Sequence, residues 1–133
     1  MAYLMLDKIY EDIGKNYCLI HLDSYRHWFD AKNPDEEQKI PDFLVVAVDS
    51  DAAGKTVLHA TVAECKIAKC IHKDEHIQEA KSQVENGISV LKAHFSPDSK
   101  SIERRYWYAQ LYRALAFTRT DSRTSKLLDA IID

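Results

Sequence analysis

Three charged residues of the chain, Asp42, Glu64 and Lys66, are of types that bind cations or transfer protons, and their spacing can bring them together. Asp42 stands directly before a short apolar run, and the other two stand near the end of the next strand-forming segment. Turn-forming residues at 49–54 lie between these segments and predict a β-hairpin. In such an antiparallel pair Asp42 lies opposite Ala63 or Glu64, so two carboxylates and one ammonium converge at a strand end.

Two acids beside a lysine predict a particular chemistry. Neighbouring carboxylates repel each other unless a cation neutralises them, and Mg²⁺ is a hard ion that prefers oxygen ligands. Such an ion polarises a phosphodiester and holds a water molecule, while Lys66 orients or deprotonates that water and balances the charge on phosphate. The residues therefore predict metal-dependent hydrolysis of a phosphodiester.

Pro41-Asp42 followed by Glu64-Cys65-Lys66 resembles the bipartite motif of the PD-(D/E)xK nuclease superfamily, which includes restriction endonucleases and Holliday-junction resolvases. The resemblance covers about residues 1–95. It implies an α/β restriction endonuclease-like fold, in which a mixed sheet with a central β-hairpin is flanked by helices. It also implies a DNA nuclease whose Mg²⁺, replaceable by Mn²⁺, is held by Asp42, Glu64 and the main-chain carbonyl of Cys65.

The resemblance implies further site residues on the neighbouring helices. Members of the superfamily often add an acid from a preceding helix, for which Glu11 or Asp12 is the candidate, and a glutamine or lysine from the following helix. Gln83, with Lys81 beside it, matches the latter and would position the water or the phosphate. The closing strand that usually follows this helix is not evident, so the region beyond is either an elaboration or a sign that the chain is part of something larger.

A basic and aromatic segment begins at Arg104 and Arg105 and continues to Arg113, with four aromatic residues interleaved. Cationic side chains can contact phosphates, and aromatic rings can stack on bases. Arg104, Arg105 and Arg113, together with Lys81, are therefore predicted to contact DNA. The alternative is that most of the rings pack in the core. The net charge of −3 is unusual for a DNA-binding chain, which suggests that a homodimer partner or a larger restriction, defence or repair complex supplies targeting.

The elements that position these residues follow from hydrophobic spacing and from turn and cap residues. The expected elements are a helix at 3–13 ended by Gly14, a strand at 16–24, a surface loop at 30–39, a buried central strand at 43–48, a strand at 56–68, a helix from Asp74 ended by Ser96-Pro97, a helix from Ser101 and a short helix at about 122–132. We expect one domain over 1–133, with the helices of 101–132 as an elaboration.

Three other interpretations compete with catalysis. Asp42 could simply cap its strand while Glu64 and Lys66 form an exposed ion pair on an edge strand. Alternatively, a non-catalytic domain could keep the nuclease fold and use the basic aromatic helix for assembly or DNA docking. A zinc site is a further alternative, although strand alternation turns Cys65 into the core and away from the remaining candidates, Cys70, His72 and His76.

Composition limits the remaining function classes. The chain has 133 residues, of which 46% are hydrophobic and 29% charged, as in ordinary globular domains. Three cysteines fit reduced thiols better than a secreted disulfide framework. Because no segment is apolar enough to span a membrane, we expect no membrane association and a cytoplasmic location.

Overall fold

The computed structural model describes residues 2–13, 16–29, 40–66, 73–96, 98 and 101–118. Within these residues the elements, in chain order, are α1 (Ala2–Ile13), β1 (Asn16–His21), a 3₁₀ helix (Leu22–Phe29), β2 (Phe43–Ser50), β3 (Thr56–Ala63), α2 (Lys73–Phe95) and α3 (Ser101–Thr118). The predicted stop at Gly14, the loop at 30–39, the stop at Pro97 and the short helix at 122–132 lie outside the described residues.

The three strands form one antiparallel sheet in the order β1-β2-β3. The prediction of a central buried strand is confirmed, since β2 pairs on both sides and its first five residues are buried. The β2–β3 pair is the predicted hairpin, and it turns through Asp51–Lys55 with Gly54 at φ +77°. The α/β prediction is confirmed at this level, although no strands of the described sheet run parallel.

Helices pack on both faces of the sheet. On one face α1 contributes Leu6 and Tyr10, which pack against a cluster that β1 and β2 supply: Tyr17, Leu19, Val45 and Ala47. The other face packs against α2, α3 and the 3₁₀ helix through a larger cluster: Cys18, Ile20, Leu22, Trp28, Phe29, Leu44, Val46, Leu91, Leu111, Ala114 and Leu115. Burial on both faces explains why β1 and β2 are continuous apolar runs, and each fully buried large side chain contributes about 1.5–3 kcal/mol.

The strand β3 is less covered than the other two. A groove of about 510 Å³ lies between it and the two C-terminal helices, bordered by Leu58, Val62, Ile88 and Tyr108 among others. Of the β3 residues that line this groove, Leu58 and Val62 are half-buried and Ala60 is exposed.

Three predicted boundaries are wrong by a few residues. The strand β1 ends at His21 instead of Ser24, because Leu22 donates its N–H to the Asp42 carbonyl (2.9 Å) and then enters the 3₁₀ helix. The strand β3 ends at Ala63 instead of residue 68. The helix α2 begins at Lys73, so Asp74 lies in the first turn, where its charge still favours the helix N-terminus. Among the described residues, no helix is both long and apolar enough to cross a membrane.

Candidate functional site

The hairpin brings Asp42 and Glu64 together at its open end. The pairing register runs from Ser50 opposite Thr56 to Phe43 opposite Ala63, and one more step in the same register places Asp42 opposite Glu64. Strand alternation then sets both side chains on the face that packs against α2. The predicted meeting of these two residues is confirmed.

Each carboxylate accepts a backbone hydrogen bond from the opposite segment. Asp42 donates its N–H to Glu64 Oε2 at 2.9 Å, and Cys65 donates its N–H to Asp42 Oδ2 at 3.0 Å. Beyond Ala63 these two side-chain bonds take the place of the backbone-to-backbone hydrogen bonds between β2 and β3. This explains why β3 is shorter than predicted. They also fix the positions of both carboxylates, because charged groups that accept backbone N–H bonds hold their geometry well.

Glu64 and Lys66 form an ion pair within this arrangement. Lys66 Nζ lies 3.0 Å from Glu64 Oε1, and the exposed fraction of the side chain is 3% for Glu64 and 27% for Lys66. The alternative prediction of an exposed surface pair is therefore wrong for the glutamate, which is almost fully buried. A carboxylate so removed from water needs such partners, since an unpaired buried charge is strongly unfavourable.

The surroundings of Lys66 shift its proton affinity. Partial burial alone lowers the pKa of the Lys66 ammonium, but the hydrogen bond and charge of Glu64 outweigh it, with smaller contributions from the charges of Glu79 and Asp42. The net result is a pKa of Lys66 above its ordinary value of 10.5. In this arrangement Lys66 is a firmly charged ammonium, which suits balancing negative charge on a phosphate better than removing a proton.

Glu79 is a member of the site that sequence reasoning missed. Its Oε1 lies 3.7 Å from Lys66 Nζ, and its Oε2 lies 3.8 Å from His76 Nδ1. Glu79 precedes Gln83 by four positions on α2, so both occupy one helical face. That spacing was a signal in the sequence that could have pointed to Glu79.

Gln83 lies at the chain segment that leads into Asp42. Its Nε2 donates to the carbonyl of Ile40 at 3.1 Å, while its Oε1 is buried and has no hydrogen-bond partner among the residues that the structure describes. A buried amide oxygen without a partner is costly, so a donor that reaches this oxygen would be stabilised there. The structure thus places Gln83 beside the site, tied to the backbone through its amide nitrogen.

Gly87 allows α2 to approach the hairpin closely. A Cβ atom at this position would lie 2.6 Å from Cγ of Pro41 and 3.2 Å from Cγ1 of Val62. Both distances are shorter than ordinary carbon contacts, so a side chain here forces the helix or the proline to move. The absence of a side chain at Gly87 therefore sets the distance between α2 and the residue before Asp42.

The structure corrects the predicted environment of Cys65. Its thiol is exposed and does not point into the core, because alternation turns it to the face opposite Glu64, where the described cluster under α1 takes its residues from β1 and β2 and not from β3. Of the other residues in the zinc alternative, His76 contacts Glu79 on α2, and Cys70 and His72 lie outside the described residues.

The contacts described do not join the other predicted site residues to this cluster. Glu11 is exposed on α1, the helix that packs on the opposite face of the sheet, and nothing is described of the Asp12 side chain. Lys81 is exposed on α2 and lies 3.9 Å from Glu85. On α3, Arg105 and Arg113 are exposed and Arg104 is half-buried.

The aromatic residues of α3 divide between core and surface. Trp107 stacks on His94 with ring centroids 3.5 Å apart, and Tyr108 packs edge-on against Phe95. Tyr106 and Tyr112 are exposed, so the alternative that most of these rings lie in the core is only partly correct.

The donor set at the hairpin end fits a hard divalent cation. Asp42 Oδ1, Glu64 Oε1 and the Cys65 carbonyl are all oxygens of the kind that Mg²⁺ prefers. Within the described ranges no group of three or more His, Cys, Asp or Glu side chains is placed to hold a metal ion, so a protein-held ion here would use the two carboxylates and the carbonyl.

Comparisons of the chain with protein-family models, with curated proteins and with solved structures find no match.

Proposed function

We propose that the chain is a Mg²⁺-dependent DNA nuclease with a restriction endonuclease-like fold. One observation carries the proposal: Asp42, Glu64 and Lys66, which are distant in sequence, are linked by hydrogen bonds and an ion pair at the open end of one hairpin. Two carboxylates and an ammonium held at one hairpin end are groups that metal-assisted phosphodiester hydrolysis can use.

Asp42, Glu64 and the Cys65 carbonyl would hold the cation, which when bound supplies Lewis-acid polarisation of the phosphate and a more acidic water. The chain's own residues do the rest. Lys66 presents a positive charge to the phosphate, and its raised pKa keeps that charge in place at neutral pH. Gln83 has a buried amide oxygen that can accept a hydrogen bond from a water molecule beside Asp42.

DNA is the proposed substrate because the helical layer on the same face carries exposed cations. Arg105 and Arg113 on α3 and Lys81 on α2 are the proposed phosphate contacts, with Arg104 a fourth, half-buried candidate. The chain as a whole remains acidic, with a net charge of −3. We therefore propose that targeting is shared with a second copy or with a larger restriction, defence or repair complex.

The test is a cleavage assay on single-stranded and duplex DNA, with Mg²⁺, with Mn²⁺ and with a chelator. Asp42→Asn and Lys66→Met are the informative variants. The amide oxygen of asparagine still accepts the Cys65 N–H bond, so loss of activity in Asp42→Asn is not loss of fold. Lys8→Ala is the matched control, because Lys8 is an exposed lysine on α1, the helix that packs on the opposite face of the sheet. Cleavage at the parent rate by Lys66→Met, or in chelator, would contradict the proposal.

A second candidate function is a nuclease-like fold that docks DNA or proteins without cutting. The observation that favours it is that Glu64 already binds one partner with each oxygen, Asp42 through Oε2 and Lys66 through Oε1. A network satisfied in this way can hold the hairpin end closed without a metal. Titration with Mg²⁺ separates the two functions, since a docking module binds DNA with no metal-dependent turnover.

A further inference from the structure

Lys66 lies between two carboxylates that differ greatly in exposure. Its Nζ is 3.0 Å from Glu64 Oε1 and 3.7 Å from Glu79 Oε1. The Glu64 side chain is 3% exposed and belongs to the hairpin, whereas Glu79 is 53% exposed and belongs to α2. The ammonium is therefore within reach of one buried acceptor and one open to solvent.

The contact with Glu64 conflicts with the metal-binding role proposed for that residue. Glu64 Oε2 accepts the Asp42 N–H bond, which leaves Oε1 as the oxygen for a cation, and Oε1 is the oxygen that Lys66 contacts. A divalent cation and an ammonium that share one carboxylate oxygen repel each other strongly, because the two positive charges lie only a few ångströms apart. A cation bound by Glu64 would thus drive the ammonium from its present position.

Glu79 can accept the displaced ammonium. In the described part of the chain it is the other carboxylate with an oxygen within 4 Å of Lys66 Nζ. His76, one turn earlier on α2, lies 3.8 Å from Glu79 Oε2, so the oxygen left facing Lys66 is Oε1. A short movement of a flexible lysine side chain is sufficient to exchange one acceptor for the other.

We propose that Glu79 is a positioning residue for Lys66: it receives the ammonium when a divalent cation occupies Glu64, and so keeps the positive charge beside the scissile phosphate. This inference rests on the proposed function. It assigns Lys66 two positions, one against Glu64 without the cation and one against Glu79 with it. The role of Glu79 is exerted through Lys66 and requires no contact with DNA.

The test uses the full chain and MgCl₂ alone, with no DNA. Isothermal titration measures Mg²⁺ binding, and NMR follows the Lys66 side-chain ammonium, whose signal is identified by its loss in Lys66→Met. We expect the parent signal to shift on saturation with Mg²⁺ and to remain visible. In Glu79→Gln we expect the Lys66 ammonium signal to broaden through exchange of its protons with solvent, because the second carboxylate acceptor is lost. Glu79→Asp, which keeps the charge, should restore the visible signal in part.

Glu85→Gln is the matched control, since Glu85 is an exposed acid on the same helix that lies near Lys81 and not near Lys66. It should behave as the parent does. Apparent Mg²⁺ affinity should fall several-fold more in Glu79→Gln than in Glu85→Gln. On DNA, Glu79→Gln should lower kcat several-fold and leave KM nearly unchanged, because the lost interaction acts during the chemical step.

The outcomes separate this inference from the proposed function. If Mg²⁺ binds and the Lys66 signal does not respond, or if Glu79→Gln matches Glu85→Gln, the role of Glu79 is wrong and the nuclease proposal stands. If the Lys66 signal responds as expected and DNA is never cut, the nuclease proposal is wrong and the exchange of acceptors stands. If the parent binds no Mg²⁺, both are overturned.

Discussion

Glu64 is the most constrained residue of the site, because a nearly buried carboxylate there has two partners on two different segments. Removing it in Glu64→Ala leaves the Asp42 N–H without its acceptor and Lys66 without its nearest counter-charge. We expect the free energy of unfolding to fall by about 1–3 kcal/mol, as for a buried polar group that loses its partner. Urea denaturation followed by circular dichroism measures the change.

Two further variants complete this prediction. Glu64→Gln keeps an oxygen for the Asp42 N–H bond and loses only the ion pair, so it should lose less stability than Glu64→Ala. Glu85→Ala removes an exposed acid from α2 and should change stability by less than about 0.5 kcal/mol. Equal losses in Glu64→Ala and Glu64→Gln would show that the backbone bond contributes nothing.

The raised pKa of Lys66 predicts a pH dependence of stability. A lysine whose pKa is higher in the folded chain binds its proton more tightly there than in the unfolded chain. Its stabilising contribution is complete below the unfolded value of about 10.4 and is lost as the pH rises through the raised folded value. The difference in unfolding free energy between the parent and Lys66→Met should therefore stay constant from neutral pH to about pH 9 and diminish beyond about pH 10.5.

Comparison with Lys66→Met removes the effects of other groups that titrate in the same range, because both chains share them. Denaturant unfolding at closely spaced pH values gives the difference directly. A difference that stays constant to pH 11 would mean that Lys66 has no preferential interaction with Glu64, Glu79 and Asp42 in the folded chain.

The sequence was sufficient to predict the meeting of Asp42 and Glu64, because a hairpin with a short turn has few possible registers. It was insufficient for Cys65, whose exposure depends on how much of the sheet α1 covers, since the described cluster under α1 takes its residues from β1 and β2. Glu79 was missed because its contact with Lys66 joins a helix to a hairpin. Its spacing from Gln83 places both on one helical face, but that spacing does not encode how the helix packs on the hairpin.

At the scale of elements, the close contact of α2 with the hairpin depends on Gly87. In Gly87→Ala the new Cβ would lie 2.6 Å from Cγ of Pro41, a buried ring that cannot move aside easily. Overpacking of this kind costs about 1–3 kcal/mol, which exceeds the gain of up to about 1 kcal/mol from replacing glycine by alanine in a helix. We expect a net loss of stability, measured by chemical denaturation.

Ser89→Ala is the control for Gly87→Ala, because Ser89 is exposed on the same helix and alanine there changes only helix propensity. It should be neutral or slightly stabilising. The shift of α2 in Gly87→Ala should also weaken the bond from Gln83 to Ile40 and lower Mg²⁺-dependent cleavage. A Gly87→Ala chain as stable as Ser89→Ala would mean that α2 lies farther from Pro41 than the structure shows.

The elements themselves were largely predictable, and their ends were not. Continuous apolar runs identified β2, and helical spacing identified α1, α2 and α3. The apolar residues of α1 suggest that more of its side chains are buried than the structure shows. Leu6 and Tyr10 contact the sheet, whereas Leu4, Met5 and Ile9 are exposed. Periodicity shows that a helix forms, but the number of apolar residues it buries depends on the surface it meets.

At the scale of the whole molecule, the proposed function requires an acidic chain to approach a polyanion. The carboxylates of the site and the net charge of −3 oppose DNA binding, so the proposal needs exposed cations of the helical layer to offset them. Arg105 and Arg113 are the exposed arginines of α3 that we assign to this role. They lie on the side of the sheet toward which Asp42 and Glu64 point.

The double variant Arg105→Ala/Arg113→Ala should therefore weaken binding to duplex DNA, and each lost phosphate contact should reduce the salt dependence. For two contacts, the slope of log binding constant against log salt should become less steep by about 2. Fluorescence anisotropy with labelled duplex, at several KCl concentrations and with a chelator to prevent cleavage, measures this slope. The matched control is Lys8→Ala/Lys55→Ala, which removes the same charge from exposed positions on α1 and the hairpin turn. If both double variants change the slope equally, DNA senses only the total charge of the molecule, and the assignment of α3 as the DNA-contacting helix is wrong.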